Sequence, residues 1–151
     1  MASSQASADL VWEIVRNNNS FLVKRKSSGG AQFSRDSLNL TNKNARKWAG
    51  FVNDKAIGVV PGDKNAIKVL SKKTSASNKP TAAITETVYS GGKSARRTYV
   101  AVANQAAKNN YRADLRQAAV ARASAIRRSY KQPKPTPEPK PRGSKAKKAA
   151  E

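Results

Sequence analysis

Cysteine and histidine are both absent from the 151 residues of this sequence. Without cysteine the chain can form neither disulfide bonds nor thiolate metal sites. Without histidine it lacks the commonest general base and the commonest metal ligand. We therefore expect no bound metal and no cofactor.

Acidic residues are scarce as well, with nine Asp and Glu in the whole chain. They are scattered, and no two have a spacing that indicates a general acid working with a general base. The glycine pairs Gly29-Gly30 and Gly91-Gly92 lack the lysine and hydroxyl residues of a phosphate-binding loop. The sequence therefore predicts no catalytic residues, no enzyme activity and no small-molecule substrate.

Long apolar runs are also missing. None approaches the roughly 20 residues of a membrane-spanning helix. Residues 1–9 have neither the basic start nor the apolar core of a secretory signal. The hydrophobic fraction of 38% is enough for one modest core, so we expect one folded domain and no membrane partner.

Positive charge is what the sequence has in excess. Thirty Lys and Arg against nine Asp and Glu give a formal net charge of +21. A free globule with this imbalance repels itself, so we expect a polyanionic partner. Phosphate backbones are the usual candidate, because each cation placed against a phosphate releases condensed counterions. An anionic membrane surface is the rival.

The order of predicted elements indicates an α+β fold, with a small, mostly antiparallel sheet and an N-terminal helix. Two basic C-terminal helices and a disordered or extended Pro/Lys tail follow. The predicted segments are a disordered N-terminus, an α+β globular domain, a basic helical arm and the tail, over residues 1–6, 7–90, 91–130 and 131–151. Alternate prolines from Pro133 to Pro141 exclude helix and sheet from the tail.

The first predicted element begins at Ser7, which can cap a helix with Asp9 at its second position. A strand also fits the alternation of Leu10, Trp12 and Ile14. Four runs are then typical of strands, namely residues 21–26, 56–60, 66–70 and 83–89. The Pro-Gly-Asp-Lys-Asn loop between the second and third runs favours a hairpin. Loops are predicted over residues 27–30 and 72–79, and an extended segment without clear period over residues 32–48.

Two helices are predicted after Gly91-Gly92, over residues 94–108 and about 112–130, with a turn at Asn109-Asn110. One stripe of the second helix is formed by Leu115, Ala119, Ala123, Ile126 and Tyr130. Asp114 is the only acid in this helical pair, so few ion pairs can hold its bases. Arginine predominates among them, which suits bidentate contact with phosphates.

The candidate RNA-binding residues come from this helical pair, from a basic strand end and from two loops. They are Lys24, Arg25, Lys26, Arg46, Lys47, Lys72, Lys73, Lys93, Arg96, Arg97, Lys108, Arg112, Arg116, Arg122, Arg127 and Arg128. A solvated helix face is the alternative interpretation of such charges. Among the aromatic residues, Trp12 is predicted to be core, and Trp48 is either core, the favoured interpretation, or stacked on a base. Tyr111 either packs the turn or stacks on a nucleotide.

Two blocks of the sequence resemble a known family. Leu10–Arg25, LVWEIVRNNNSFLVKR, is similar to the opening of the eukaryote-specific large-subunit ribosomal protein conventionally numbered twenty-eight. Asn109–Ser129, NNYRADLRQAAVARASAIRRS, resembles that family's carboxy-terminal helix, and LNLTN at Leu38–Asn42 lies in the matching order. The resemblance covers about residues 9–131. At Ala113 the family tends to have proline, so the start of the last helix is less firmly fixed.

The resemblance implies an α+β domain with an outlying helical arm and no catalysis. It implies large-subunit ribosomal RNA and neighbouring ribosomal proteins as partners. The implied location is the cytoplasmic ribosome, after nuclear and nucleolar passage during assembly. The expected function is therefore that of a structural constituent of the large ribosomal subunit that binds RNA through Lys and Arg.

Two other functions compete with the ribosomal one. The Lys-Pro-Ala tail is typical of chromatin proteins of linker-histone-like composition, but the strand-rich middle argues against that module. A membrane-surface or antimicrobial helix is the other candidate, and the Ala-rich stripe is too weakly apolar for firm insertion.

Overall fold

The computed structural model of the chain describes residues 6–76 and 79–137. Its helices are α1 Ala8–Val15, α2 Pro80–Ala83, α3 Ala95–Ala107 and α4 Arg116–Ser129. Its strands are β1 Leu22–Arg25, β2 Ala31–Ser34, β3 Ile57–Pro61, β4 Ile67–Lys72 and β5 Ile84–Tyr89. The strands form two antiparallel sheets, β1-β2 and β3-β4-β5, which confirms the predicted α+β class. No helix of the described residues is long and apolar enough to cross a membrane.

The first element is a helix, as predicted, and the alternative strand is wrong. The Ser7 hydroxyl accepts a hydrogen bond from the Leu10 amide at 3.2 Å and caps α1. Asn19 then closes the turn that follows, because its side chain donates to the Val15 carbonyl and accepts from the Phe21 amide. Trp12 is buried against Ala49 and Val52, so its predicted core position is confirmed.

The β1-β2 hairpin was predicted only in its first half. Strand β1 lies within the predicted run, whereas β2 follows the predicted loop and forms the start of the stretch that was expected to be extended but not paired as a strand. Gly29 and Gly30, with φ of 65° and 76°, make the connection, a conformation that glycine adopts without strain. Phe33 then pairs with Val23 on one side and bridges Lys43 on the other.

The second sheet follows the prediction closely. Strands β3 and β4 form the expected hairpin, whose loop places Lys64 and Asn65 at positive φ and closes with a Gly62 amide to Ala66 carbonyl bond of 2.9 Å. Strand β5 pairs with β4 and forms the edge of the sheet. Its Thr87 and Tyr89 face the helices.

The main hydrophobic cluster lies between this sheet and the two long helices. The strands contribute Ile57, Val59, Ile67 and Val69, none more than 1% exposed. The helical hairpin contributes Val102, Ala106, Leu115, Ala119, Ala123 and Ile126, with Tyr130 packed at the side. The predicted stripe is therefore confirmed, and its alanines allow α3 and α4 to approach closely.

The last helix begins later than predicted. Residues 113–115 form a short 3₁₀ turn, and α4 starts at Arg116. Arg112 is outside helical geometry, with φ of −151° and ψ of 69°, and its side chain binds Asp114 and two distant carbonyls. The division of the chain at residue 90 stays a prediction, and α3 and α4 share one buried cluster with β3 and β4. Residues 1–5 and 138–151, where disorder or extension was predicted, lie outside the described residues.

Candidate nucleic-acid interface

Most of the predicted RNA-binding residues have exposed side chains. The exposed ones are Lys24, Arg25, Lys26, Lys47, Lys73, Lys93, Arg96, Arg97, Lys108, Arg116 and Arg128. The other five are partly buried, and four of these are hydrogen-bonded within the protein. Hydrogen bonding within the protein therefore distinguishes these four cations from the exposed ones.

Lys72 is one of the cations with an internal role. Its ammonium group donates to the carbonyl oxygens of Asn53, Phe51 and Gly50 at 2.8, 3.3 and 3.4 Å. Burial lowers the pKa of Lys72, while the carboxylates of Asp54 and Asp36 act in the opposite direction. The lysine closes the turn over residues 50–53, so its ammonium group is not free to contact a partner.

Exchanging the ammonium of Lys72 for a methyl thioether should therefore affect stability and not RNA binding. Lys72→Met leaves three carbonyls without their donor, and we expect the free energy of unfolding to fall by about 1–2 kcal/mol, the partial exposure of the site considered. Urea unfolding followed by tryptophan fluorescence measures this. Lys73→Met, at the exposed neighbouring position, is the matched control and should change stability little. A loss of RNA affinity without a loss of stability would contradict the internal role.

Arg112 and Arg127 are also bound to the protein. Arg112 makes a bidentate pair with Asp114, both bonds 2.8 Å long, and donates to the carbonyls of Lys55 and Lys47. The hydrogen bond from Arg112 lowers the pKa of Asp114. Arg127 donates to the carbonyls of Gly91 and Lys93 at 3.1 and 2.7 Å. Each guanidinium fixes one end of the helical hairpin to a neighbouring loop.

Arg46 and Arg122 complete the partly buried set. Arg46 donates to Asp9 at 2.9 Å and to the side chain of Asn53, so it links α1 to the loop before β3. Arg122 lies on α4 with its Nε atom buried and without an acceptor among the described residues. Neither side chain presents its whole guanidinium group to solvent.

Most of the exposed predicted cations, together with Lys55 and Lys131, fall into three groups. The hairpin group, at the β1-β2 turn, is Lys24, Arg25 and Lys26. The α3-start group, where α3 begins and α4 ends, is Lys93, Arg96, Arg97, Arg128 and Lys131. The α4-start group, where α3 ends and α4 begins, is Lys47, Lys55, Lys108 and Arg116. Lys73 lies apart from all three, at the end of β4.

Two members of these groups were missed from the sequence. Lys55 follows Asp54 in a polar turn, so its charge looked locally balanced. Lys131 is the first residue of the predicted tail, and only the packing of α4 brings it next to Arg127 and Arg128. For Lys131 the signal was available, because it follows the end of the predicted helix directly and is three residues beyond Arg128.

Among the described residues, no acid forms an ion pair with a cation of these groups. The four ion pairs of the described residues join Glu13 to Arg16, Asp9 to Arg46, Glu86 to Lys68 and Asp114 to Arg112. None of these four cations belongs to the three groups. Asp36 is buried and accepts from the backbone amides of Leu38 and Phe51. Within residues 6–76 and 79–137, the three groups therefore carry positive charge without an ion-pair partner, although the Asp114 carboxylate interacts with the charge of Lys47.

The aromatic residues have mainly structural positions. Trp48 is partly buried against the main cluster, in agreement with the favoured core interpretation, and the Lys47 ammonium lies 5.0 Å from its ring centroid. The Tyr111 hydroxyl accepts from the Ala56 amide at 3.2 Å and donates to backbone carbonyls. Tyr111 thus packs the turn, and it is also one of the residues that line a cavity.

Comparisons with known proteins identify a family of similar sequences. The model of the Ribosomal L28e protein family matches residues 10–129. The large ribosomal subunit protein eL28 of Schizosaccharomyces pombe is 42% identical over 86% of this chain and 96% of its own length. The protein of the same name from Caenorhabditis elegans is 34% identical over 80% of this chain and 87% of its own. The fold, the basic surface and these matches define a ribosomal protein. The chain belongs to the L28e family.

Proposed function

We propose that this chain is a structural constituent of the large ribosomal subunit that binds ribosomal RNA through contacts of Lys and Arg with phosphates. The observation that carries the proposal is the set of three exposed cation groups without ion-pair partners in residues 6–76 and 79–137. Two relatives that cover most of the chain are named as proteins of the large subunit, which supports the assignment.

The α3-start group offers the clearest electrostatic argument. Arg96 and Arg97 lie in the first turn of α3, where the helix dipole is positive and no acid accompanies them. The positive end of the dipole does not stabilise these guanidinium groups. A phosphate at this position is attracted both by the dipole and by the guanidinium groups. Arg128 lies in the last turn of α4, where the dipole favours a cation. Together the residues provide an anion-binding end of the helical hairpin.

The proposed setting rests on the family to which the chain belongs. The partners are large-subunit ribosomal RNA and neighbouring ribosomal proteins, and the role needs neither cofactor nor chemical step. The protein acts in the cytoplasmic ribosome, and we propose that it passes through the nucleus and nucleolus during assembly. Phosphate contacts fix position on RNA and carry no sequence information.

The affinity of the full chain for fragments of large-subunit ribosomal RNA should fall steeply with salt. Each phosphate contacted in a single-stranded region contributes a log-log slope of about −0.7. Filter binding between low and moderate salt measures the slope, with duplex DNA as competitor. A slope near zero contradicts the proposal, and equal competition by duplex DNA favours the chromatin-like alternative. Sedimentation of tagged protein from cell extract checks the same point, because co-migration with large subunits is expected.

A further inference from the structure

A cavity lies beside the α4-start group, between the end of α3 and strands β4 and β5. Its volume is about 440 Å³, within the range of about 300–1,000 Å³ typical of ligand sites. The exposed side chains of Lys55 and Lys108 line it, and the described residues around it include no acid. The cavity is therefore open to a ligand that carries negative charge at its edge.

Side-chain amides form the polar part of the wall. The Tyr89 hydroxyl donates to Gln105 Oε1 at 3.1 Å, and Gln105 Nε2 donates to Thr87 Oγ1 at 3.3 Å. These two hydrogen bonds fix the orientation of the Gln105 amide. They leave the amide one further N–H donor and one further acceptor lone pair. Asn104 lines the same cavity, is exposed, and has no hydrogen-bond partner for its side chain within the described residues. The wall thus offers donors and acceptors to a neutral, planar group.

Two tyrosine rings form the apolar part. Tyr89 and Tyr111 are partly buried, and their hydroxyls are bonded within the protein, so both rings are held in place. Burial raises the pKa of both hydroxyls, so both rings stay neutral at physiological pH. The Lys55 ammonium lies 5.9 Å from the Tyr111 ring centroid, so a cation and an aromatic surface meet at the rim.

From this combination we infer that the cavity receives one unpaired nucleotide of RNA. The base lies against the tyrosine rings and the amides of Asn104 and Gln105, and the adjoining phosphates lie near Lys55 and Lys108. Proteins that recognise RNA sequence commonly bind extruded bases by such stacking and amide contacts. This inference rests on the RNA binding proposed above and adds a site that reads a base.

The test compares RNA duplexes that are identical except for one bulged nucleotide, prepared with each of the four bases. At least one bulged duplex should bind the full chain about tenfold more tightly than the perfect duplex, since one stacked base contributes that much or more. Ala101→Phe places a ring in the cavity without changing charge and should abolish the preference. It should leave the affinity for the perfect duplex and the salt slope unchanged.

Val100→Phe is the matched control, because Val100 directly precedes Ala101 in α3, is 59% exposed, and does not line this cavity. It should keep the preference. Thermal melting verifies folding, and if Ala101→Phe does not fold, the exposed Asn104→Ala should reduce the preference in its place. Equal binding of bulged and perfect duplexes overturns the cavity inference and leaves RNA binding intact. If neither duplex nor ribosomal RNA fragments bind, the proposed function itself fails.

Discussion

Neutralising four cations of the α3-start group should lower the affinity for large-subunit ribosomal RNA by about a hundredfold at roughly 0.15 M salt. The variant replaces Lys93, Arg96, Arg97 and Arg128 with glutamine. If each cation contacts one phosphate, the log-log salt slope should also become shallower by about 3. All four side chains are exposed and none takes part in an ion pair of the described residues, so folding should be unaffected.

The control removes the same number of charges from other parts of the surface. Arg16, Arg35, Lys68 and Lys79 lie outside the three groups, and Arg16 and Lys68 already pair with acids. Glutamine at these four positions should weaken binding much less and change the slope little. Filter binding across a salt series measures both variants. Equal losses in the two would mean that net charge, and not the α3-start group, governs binding.

The second half of the fold was predictable because its signals are local. The β3-β4 hairpin needs only two β-branched runs and a turn sequence between them. The stripe on α4 needs only the helical spacing of Leu115, Ala119 and Ala123, and each of these residues is buried in the main cluster. In such segments the local hydrophobic pattern of the sequence and the tertiary packing favour the same secondary structure.

The first half was less predictable because long-range contacts determine it. Strand β2 contains one large apolar residue, Phe33, and becomes a strand by pairing with β1. The start of α4 was misplaced because Arg112 turns away from helical geometry to reach Asp114 and the carbonyls of two distant residues. Propensity is a weak guide where tertiary contacts of this kind compete with it.

The candidate interface was also only partly predictable, because long-range contacts decide which of its cations are exposed. Composition indicated a cationic surface, but it could not separate Lys73, which is exposed, from Lys72, whose ammonium is bound to three carbonyls. The acceptors of Lys72 and Arg127 are backbone carbonyls brought near by the fold, and a carbonyl has no signature in the sequence. Which cations are free of internal contacts is therefore determined by the fold and not by the local sequence.

Gly58→Ala should destabilise the protein by about 3 kcal/mol, at the upper end of what overpacking usually costs. Gly58 is buried on β3, opposite Leu70 of β4. A Cβ atom at this position would overlap the Ser37 carbonyl oxygen and lie 3.0 Å from Leu38 Cα. Both are backbone atoms, so no side chain can rotate away to make room.

The backbone that Gly58 touches cannot move easily either. Asp36, which is 5% exposed, accepts hydrogen bonds from the Leu38 amide at 3.0 Å and the Phe51 amide at 3.1 Å. A shift of residues 37–38 away from β3 would strain these bonds and expose the buried Leu38 side chain. Urea unfolding followed by tryptophan fluorescence measures the loss. Gly92→Ala is the matched control, because its Cβ would have only Ser90 Oγ nearby, at 3.9 Å, and should change stability by no more than about 0.5 kcal/mol. Equal unfolding midpoints for both variants would mean that residues 37–38 do not lie against β3 in solution.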